Sequence, residues 1–248
     1  MQWLLENGAD ADPVFAANGE TPLHVAARRW DVGVVELLAQ RGADLRRRRA
    51  DGRTPYAVAE LNGNRAVADW LRARGAADEL AQVDQLVAAC GRGDRVAAEA
   101  MLAAHPALRE EITDMHYAAL HHAAEQGDTA QLTLLLDCGF DPSRGDAEIG
   151  KTALHSAAMA GQPDAVRLLL ARGASPDVRD REFNGQPLVW AAEGSRSHGD
   201  RAMDYAEVGR LLIDAGSTVE WEQPTEEPAE EIREIIAEWQ RGGRALPV

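Results

Sequence analysis

The sequence has few aromatic residues, a single lysine and only two cysteines. Aromatic residues make up 5% of the 248 positions, and the apolar content is mostly alanine and leucine, which favour helices. Cys90 and Cys138 are too few for a disulfide framework, so a reducing cytoplasm is the expected location. No uncharged apolar run approaches about 18 residues, and the opening MQWLLENGAD lacks a basic region followed by a long apolar stretch. The sequence therefore predicts neither a membrane span nor a secretory signal.

Positive charge is also scarce. Aspartate and glutamate number 41 against 26 lysines and arginines, which gives a formal net charge of -15. An acidic chain repels phosphate backbones, so nucleic-acid binding is not predicted. The four arginines at 46–49 form the one basic cluster, and a solvated loop is a better interpretation of it than a phosphate site. The use of arginine in place of lysine is typical of a GC-rich, bacterial genome.

A repeat of about 34 residues runs along almost the whole chain. The segments TPLHVAA, TPYAVAE, DQLVAAC, AALHHAA, TALHSAA and QPLVWAA begin at residues 21, 54, 84, 118, 152 and 186. A second apolar stripe at helical spacing follows each of them, and in five repeats it ends on a glycine placed as a helix C-cap, at 42, 75, 139, 173 and 216. Each repeat is thus predicted to be a helix, a tight turn, a second helix, a glycine cap and an extended connection.

The pattern TPLHxAAxxG…LLxxGAD resembles the ankyrin repeat. The resemblance implies an all-α solenoid of about six helix-pair repeats, in which neighbouring pairs stack to bury their faces. Both ends depart from the pattern. The opening WLLENGADAD, residues 3–12, contains only the end of a second helix, a half-repeat, and residues 224–240 show one apolar helical face that suggests a capping helix. An insertion at 195–205 separates the helices of the last repeat.

These departures suggest how the chain is organised. Residues 1–77 are predicted to hold the half-repeat and two repeats, 78–223 four further repeats, and 224–248 the capping helix and tail, all within one continuous solenoid. A seam is expected near residues 77–83, where the usual extended connection is missing.

Histidine is the residue type that most invites a metal or catalytic interpretation. The resemblance implies instead that His24, His121 and His155, the fourth residues of the TPLH-like segments, hydrogen-bond between neighbouring loops. Neighbouring packed helices lie roughly 8–10 Å apart, too far for His121 and His155 to ligate one zinc ion. No metal, no cofactor and no known catalytic motif is predicted.

The resemblance implies that a protein partner is held on the concave face, by the loop tips and the exposed side of the first helices. The predicted partner-binding residues are concentrated in the last three repeats and the insertion, and comprise Tyr117, His122, Glu125, Gln126, Met159, Trp190, Glu193, Arg196 and His198. Phe15, Met115, Lys151 and Phe183 are among further candidates at loop tips.

Two alternatives stay open. One is an enzyme or small-molecule site in the concave face near the insertion, built from Asp114, Tyr117, His122, Glu125, Trp190 and Glu193, which could do acid–base work. The other is self-association through the N-terminal half-repeat, where Trp3, Leu4 and Leu5 would lie exposed.

Overall fold

The computed structural model describes residues 10–15, 17–77, 80–146, 149–197 and 204–218, together with Glu234 and Ala237. Three features of the sequence analysis lie outside these residues: the half-repeat as far as residue 9, His198, and nearly all of the predicted capping helix. Within it, the backbone forms helices and no strand.

The helices follow one another in pairs, as the repeat predicts. We call the first helix of each pair inner and the second outer. The α-helices are α1 (Pro22–Arg29), α2 (Val32–Gln40), α3 (Pro55–Leu61), α4 (Arg65–Ala73), α5 (Gln82–Gly91), α6 (Arg95–Ala104), α7 (Tyr117–Gln126), α8 (Thr129–Asp137), α9 (Ala153–Met159), α10 (Pro163–Ala171), α11 (Pro187–Ser197) and α12 (Tyr205–Asp214). Short 3₁₀ helices at Pro106–Arg109 and Asp114–His116 lie between α6 and α7. The six helix pairs confirm the predicted fold class.

Both ends of the helices are fixed by local side chains and glycines. Thr54 caps α3 by accepting a hydrogen bond from the backbone N–H of Ala57, and Pro55 follows at the first helical position. Aspartates cap several outer helices in the same way; Asp128, for example, accepts from the N–H of Gln131 at 2.9 Å. The five glycines predicted as C-caps all have φ between 69° and 108°, a conformation that other residues rarely adopt.

The core is built from one leucine in five of the six inner helices, with Tyr56 at the equivalent position of α3, and from the paired small residues beside it. Leu23, Leu86, Leu120, Leu154 and Leu188 are each at most 1% exposed. The alanine pairs are equally buried, and their small size lets helices of neighbouring repeats approach closely. A single helix pair could not bury these faces alone, so stacking of neighbours supplies the stability.

The chain divides into two compact units, Met1–Leu108 and Arg109–Val248. The first contains α1–α6 and the second α7–α12. This division comes one repeat later than the seam expected near residues 77–83. In the first unit, Arg53 and the buried Asp84 form a two-point contact, with Nη2–Oδ1 2.8 Å and Nε–Oδ2 3.3 Å. This ion pair joins the third repeat to the second where the usual extended connection is missing.

The predicted insertion begins as additional helix. Inner helix α11 has 11 residues, whereas its equivalent α9 has seven, so residues 194–197 extend α11 and residues 195–197 of the predicted insertion are helical. Residues 198–203 lie outside the described chain. Gly194 lies against α9, where a Cβ atom would overlap the carbonyl oxygen of Met159 and come within 2.9 Å of the Tyr205 ring. The Tyr205 hydroxyl donates to that same carbonyl at 3.1 Å. A glycine at this position therefore permits the close contact of α11 with α9.

None of the described helices is long and apolar enough to cross a bilayer.

Candidate partner-binding surface

The loop leading into each inner helix is called a finger below. Residues 140–152 form the finger of the fifth repeat and residues 174–186 that of the sixth. Two fingers are joined to the inner helix of the preceding repeat by a histidine. His155 Nε2 contacts the carbonyl oxygen of Gly185 at 3.1 Å, and His24 Nε2 contacts that of Arg53 at 3.2 Å. The implied role of these two histidines is confirmed.

The hydrogen bonds of His155 also define its protonation state. The backbone N–H of Thr152 donates to Nδ1 at 3.1 Å, so Nδ1 carries a lone pair and Nε2 carries the proton that it donates to Gly185. This arrangement requires a neutral ring. Burial lowers the pKa of His155 to about 4 and also lowers the pKa of His24. Both rings are fully buried, so their role is structural.

In the fourth repeat a different histidine occupies the capping position. The N–H of Thr113 donates to His116 Nδ1 at 2.9 Å, as Thr152 does to His155. The expected bond of His121 to the next finger is absent from the described contacts: its buried Nε2 has no partner, and its Nδ1 lies 4.0 Å from Asp146. The prediction was wrong for His121 because Ala118 stands where Thr152 stands, so no hydroxyl orients the ring. The spacing Thr113-x-x-His116, the same as Thr152-x-x-His155, is the sequence signal that could have identified the correct residue.

Asp180 organises the finger of the sixth repeat. Its carboxylate is 2% exposed and accepts the backbone N–H groups of Glu182 (2.9 Å), Phe183 (2.6 Å) and Gly185 (2.9 Å), together with Trp190 Nε1 (2.9 Å). Burial raises the pKa of Asp180, but these hydrogen bonds outweigh it and leave the pKa below its ordinary value. The carboxylate is therefore ionised at neutral pH and fixes the loop from inside.

Trp190, on helix α11, is bound to that finger through Asp180. Its ring lies edge-on to His155 and Phe183, with centroids 5.8 and 6.1 Å away, and Lys151 Nζ lies 5.7 Å from its centroid. The side chain is half-buried. Trp190 therefore connects the fingers of the fifth and sixth repeats, and sequence patterns did not reveal its bond to Asp180.

Tyr117 is buried, unlike the other predicted contact residues that the structure describes. It is 2% exposed, packs against Phe140 and accepts a hydrogen bond from the backbone N–H of Asp141 at 2.9 Å. A side chain enclosed in this way offers no surface to a partner. The expectation of a contact role for Tyr117 is therefore replaced by a role in the fold.

The remaining predicted residues lie on or near the inner helices of the second unit. Glu125 and Gln126 are exposed at the end of α7, and His122 is half-buried one turn earlier. The equivalents of Glu125 in the next two repeats are Met159, which is half-buried, and Glu193, which is exposed. Arg196 forms an exposed ion pair with Glu193 at 3.1 Å, a kind of contact that contributes little stability. These side chains form what we call the inner face of the second unit.

Comparisons with known proteins agree with this architecture. A family model described as "Ankyrin repeats (3 copies)" matches residues 1–82, 86–180 and 120–220. The chain belongs to the ankyrin-repeat family. The ankyrin repeat domain of Bcl-3, a solved structure, has a TM-score of 0.50 and 21% identity over 88% of this chain and 99% of that one; this likeness shows the fold.

The curated relatives match over single stretches. The 2-5A-dependent ribonuclease of Mus musculus is 44% identical over 61 residues, 25% of this chain and 8% of that protein. The ARF GTPase-activating protein GIT2 of Rattus norvegicus is 40% identical over 68 residues, 27% of this chain and 9% of that protein. The chain therefore spans less than a tenth of the length of these relatives.

The basic cluster at 46–49 serves the ankyrin framework of the first unit. Arg46 donates to the carbonyl oxygen of Gly75, Arg47 pairs with Asp12 at 3.0 Å, Arg48 donates to the carbonyl of Gly52, and Arg49 pairs with Glu20 at 3.3 Å. Each guanidinium thus has an intramolecular partner. These contacts support the interpretation of the cluster as a loop rather than a phosphate site.

Two groups named for the enzyme alternative are also engaged in the fold. Asp114 pairs with Arg144 at 2.5 Å, and Tyr117 is enclosed as described above. Among the described residues, no three or more histidines, cysteines or acidic residues are grouped as metal ligands.

Proposed function

We propose that this ankyrin-repeat chain is a binding module whose second unit holds a protein partner on its inner face and adjoining fingers. The observation that carries the proposal is a contrast within equivalent positions. The alanines beneath the inner face are nearly the same in all three repeats and are at most 2% exposed. The residues above them at 34-residue spacing are Glu125, Met159 and Glu193, so the middle repeat places an apolar side chain between two carboxylates.

This contrast is what a surface adapted to one partner requires. The framework determines only the spacing of the repeats, roughly 10 Å between packed helices, whereas the exposed positions are free to vary. Loops and exposed helix ends on a rigid scaffold commonly carry binding function. The family supports a protein as the partner, because ankyrin repeats generally act in protein–protein interaction.

Site-specific photocrosslinking tests the proposal. We expect a photoreactive phenylalanine analogue at Gln126, on the inner face, to crosslink one discrete protein in extracts of the source organism. The same analogue at Ala130, which is exposed on outer helix α8, is the matched control and should not crosslink that protein. Crosslinking from Ala130 but not from Gln126 would place the partner on the opposite side and contradict the proposal.

A further inference from the structure

Phe183 is an aromatic side chain that the fold does not bury. It is 67% exposed, compared with 53% for Phe15 and 3% for Phe140, which are the other two phenylalanines of the chain. It lies at the tip of the sixth-repeat finger, and its described ring contact is the edge of Trp190. A single exposed apolar side chain is common on protein surfaces, so the significance of Phe183 depends on the loop that carries it and on the groups beside it.

The loop that carries Phe183 is rigidly constructed. The backbone N–H of Phe183 itself donates to the Asp180 carboxylate at 2.6 Å. Asn184 follows with φ of 52°, and it is the one non-glycine with positive φ in the described chain. Gly185 completes the turn in a space where a Cβ would lie 3.0 Å from Asp180 Oδ2 and 3.2 Å from Trp190 Nε1. Asparagine adopts the left-handed conformation more readily than most other residues, and the hydrogen bonds to Asp180 hold the turn in one shape.

A cation lies beside this aromatic tip. Lys151 Nζ is 5.7 Å from the Trp190 ring centroid and forms no ion pair with a carboxylate of the described residues. The Trp190 ring therefore has both an ammonium group and the Phe183 ring beside it, the two rings being inclined at 70°. A ligand that fits both features carries an apolar side chain close to a carboxylate.

Net charge restricts the partner as a whole. The second unit carries 26 acidic and 13 basic residues, a net charge of -13. A strongly acidic protein would be repelled at long range. The carboxylate that meets Lys151 must therefore be a local feature of a partner that is otherwise neutral or basic.

We infer that Phe183, Trp190 and Lys151 form a docking patch for an extended protein segment in which an apolar side chain lies next to a carboxylate. The apolar side chain packs against Phe183 and the exposed part of Trp190, and the carboxylate pairs with Lys151. Because the finger is already ordered, binding does not have to fix the loop, which favours affinity. This inference rests on the proposed function, since the patch is one edge of the same binding surface.

A library of random 12-residue peptides displayed on phage, selected on the full chain, is the probe for this inference. We expect enriched peptides to contain a large apolar residue within two positions of Asp or Glu. Their binding should fall about 30-fold in Phe183→Ala, as for an interface hot spot, and about tenfold in Lys151→Gln. Lys151→Arg should restore most of the binding, and Phe15→Ala, at the exposed phenylalanine of the first unit, is the matched control.

Labelling with 4-fluorophenylalanine locates the bound peptide without a variant. The three ¹⁹F resonances report on Phe15, Phe140 and Phe183, and only that of Phe183 should shift. If peptides bind Phe183→Ala as tightly as the parent but lose binding in Gln126→Arg, the inference is overturned while the proposed function is retained. If no peptide is enriched, the inference fails while the crosslinking test of the proposed function stands; if binding depends on Phe15, in the first unit, both fail.

Discussion

Acidification from pH 7 to pH 4 is expected to remove several kcal/mol from the stability of the second unit. His121 and His155 both have a pKa of about 4 in the folded chain, against 6.5 when unfolded. Burial is the main cause in each case, and the positive charge of Lys151 adds to it. The unfolded chain therefore binds more protons between these two values. This stability is fully present above pH 6.5 and is lost as pH falls toward 4, at roughly 3 kcal/mol for each histidine.

Urea unfolding at fixed ionic strength, repeated at several pH values, measures this loss. His155→Gln removes one titrating group, so the variant should be less stable at pH 7 but should lose roughly 3 kcal/mol less than the parent between pH 7 and pH 4. His105→Gln, at an exposed position, is the control and should follow the parent curve. Equal pH dependence in the parent and in His155→Gln would show that His155 is not buried in its neutral form.

Replacement of Gly194 by alanine is expected to destabilise the second unit by about 3 kcal/mol, the upper part of the range for overpacking. In an exposed helix the same change would stabilise by about 1 kcal/mol, because alanine is the better helix former. Here the new methyl group would overlap the carbonyl oxygen of Met159 and crowd the Tyr205 ring. Steric overlap therefore outweighs helix propensity, and α11 must move away from α9.

The free energy of unfolding of Gly194→Ala, compared with that of Ser197→Ala, tests this packing. Ser197 is exposed in the same helix, so its replacement should change stability by less than about 0.5 kcal/mol. A Gly194→Ala protein as stable as the parent would mean that α11 and α9 are not in close contact.

The fold could be predicted from the sequence because each of its signals acts locally. A threonine cap, a proline in the first turn and a glycine with positive φ each satisfy a stereochemical requirement within a few residues. The same signals recur at nearly constant spacing, so one repeat confirms the next. Departures from the repeat were harder to predict. Residues 195–197, for example, were expected in an insertion that separates two helices, and they continue the first of these helices.

The candidate surface was harder to predict from sequence because its key contacts depend on the path of a loop. Trp190 was predicted as a partner contact, but the bond of its indole N–H to Asp180, ten residues earlier, was not predicted. Similarly, the position of His121 as the fourth residue of its TPLH-like segment predicted a hydrogen bond to the next finger, whereas the histidine that pairs with a threonine in this repeat is His116, with Thr113. In both cases a side chain several residues away determined the outcome, and no periodic pattern encodes such a contact.

The central claim is that a protein partner binds the inner face of the second unit. The most direct test is isothermal titration calorimetry with the protein that crosslinks through position 126. It is titrated against Gln126→Arg and Ala130→Arg, two variants that carry the same new side chain on an inner and an outer helix. The account predicts that Gln126→Arg weakens binding at least tenfold, whereas Ala130→Arg binds like the parent. Weakened binding by Ala130→Arg with unchanged binding by Gln126→Arg would contradict it.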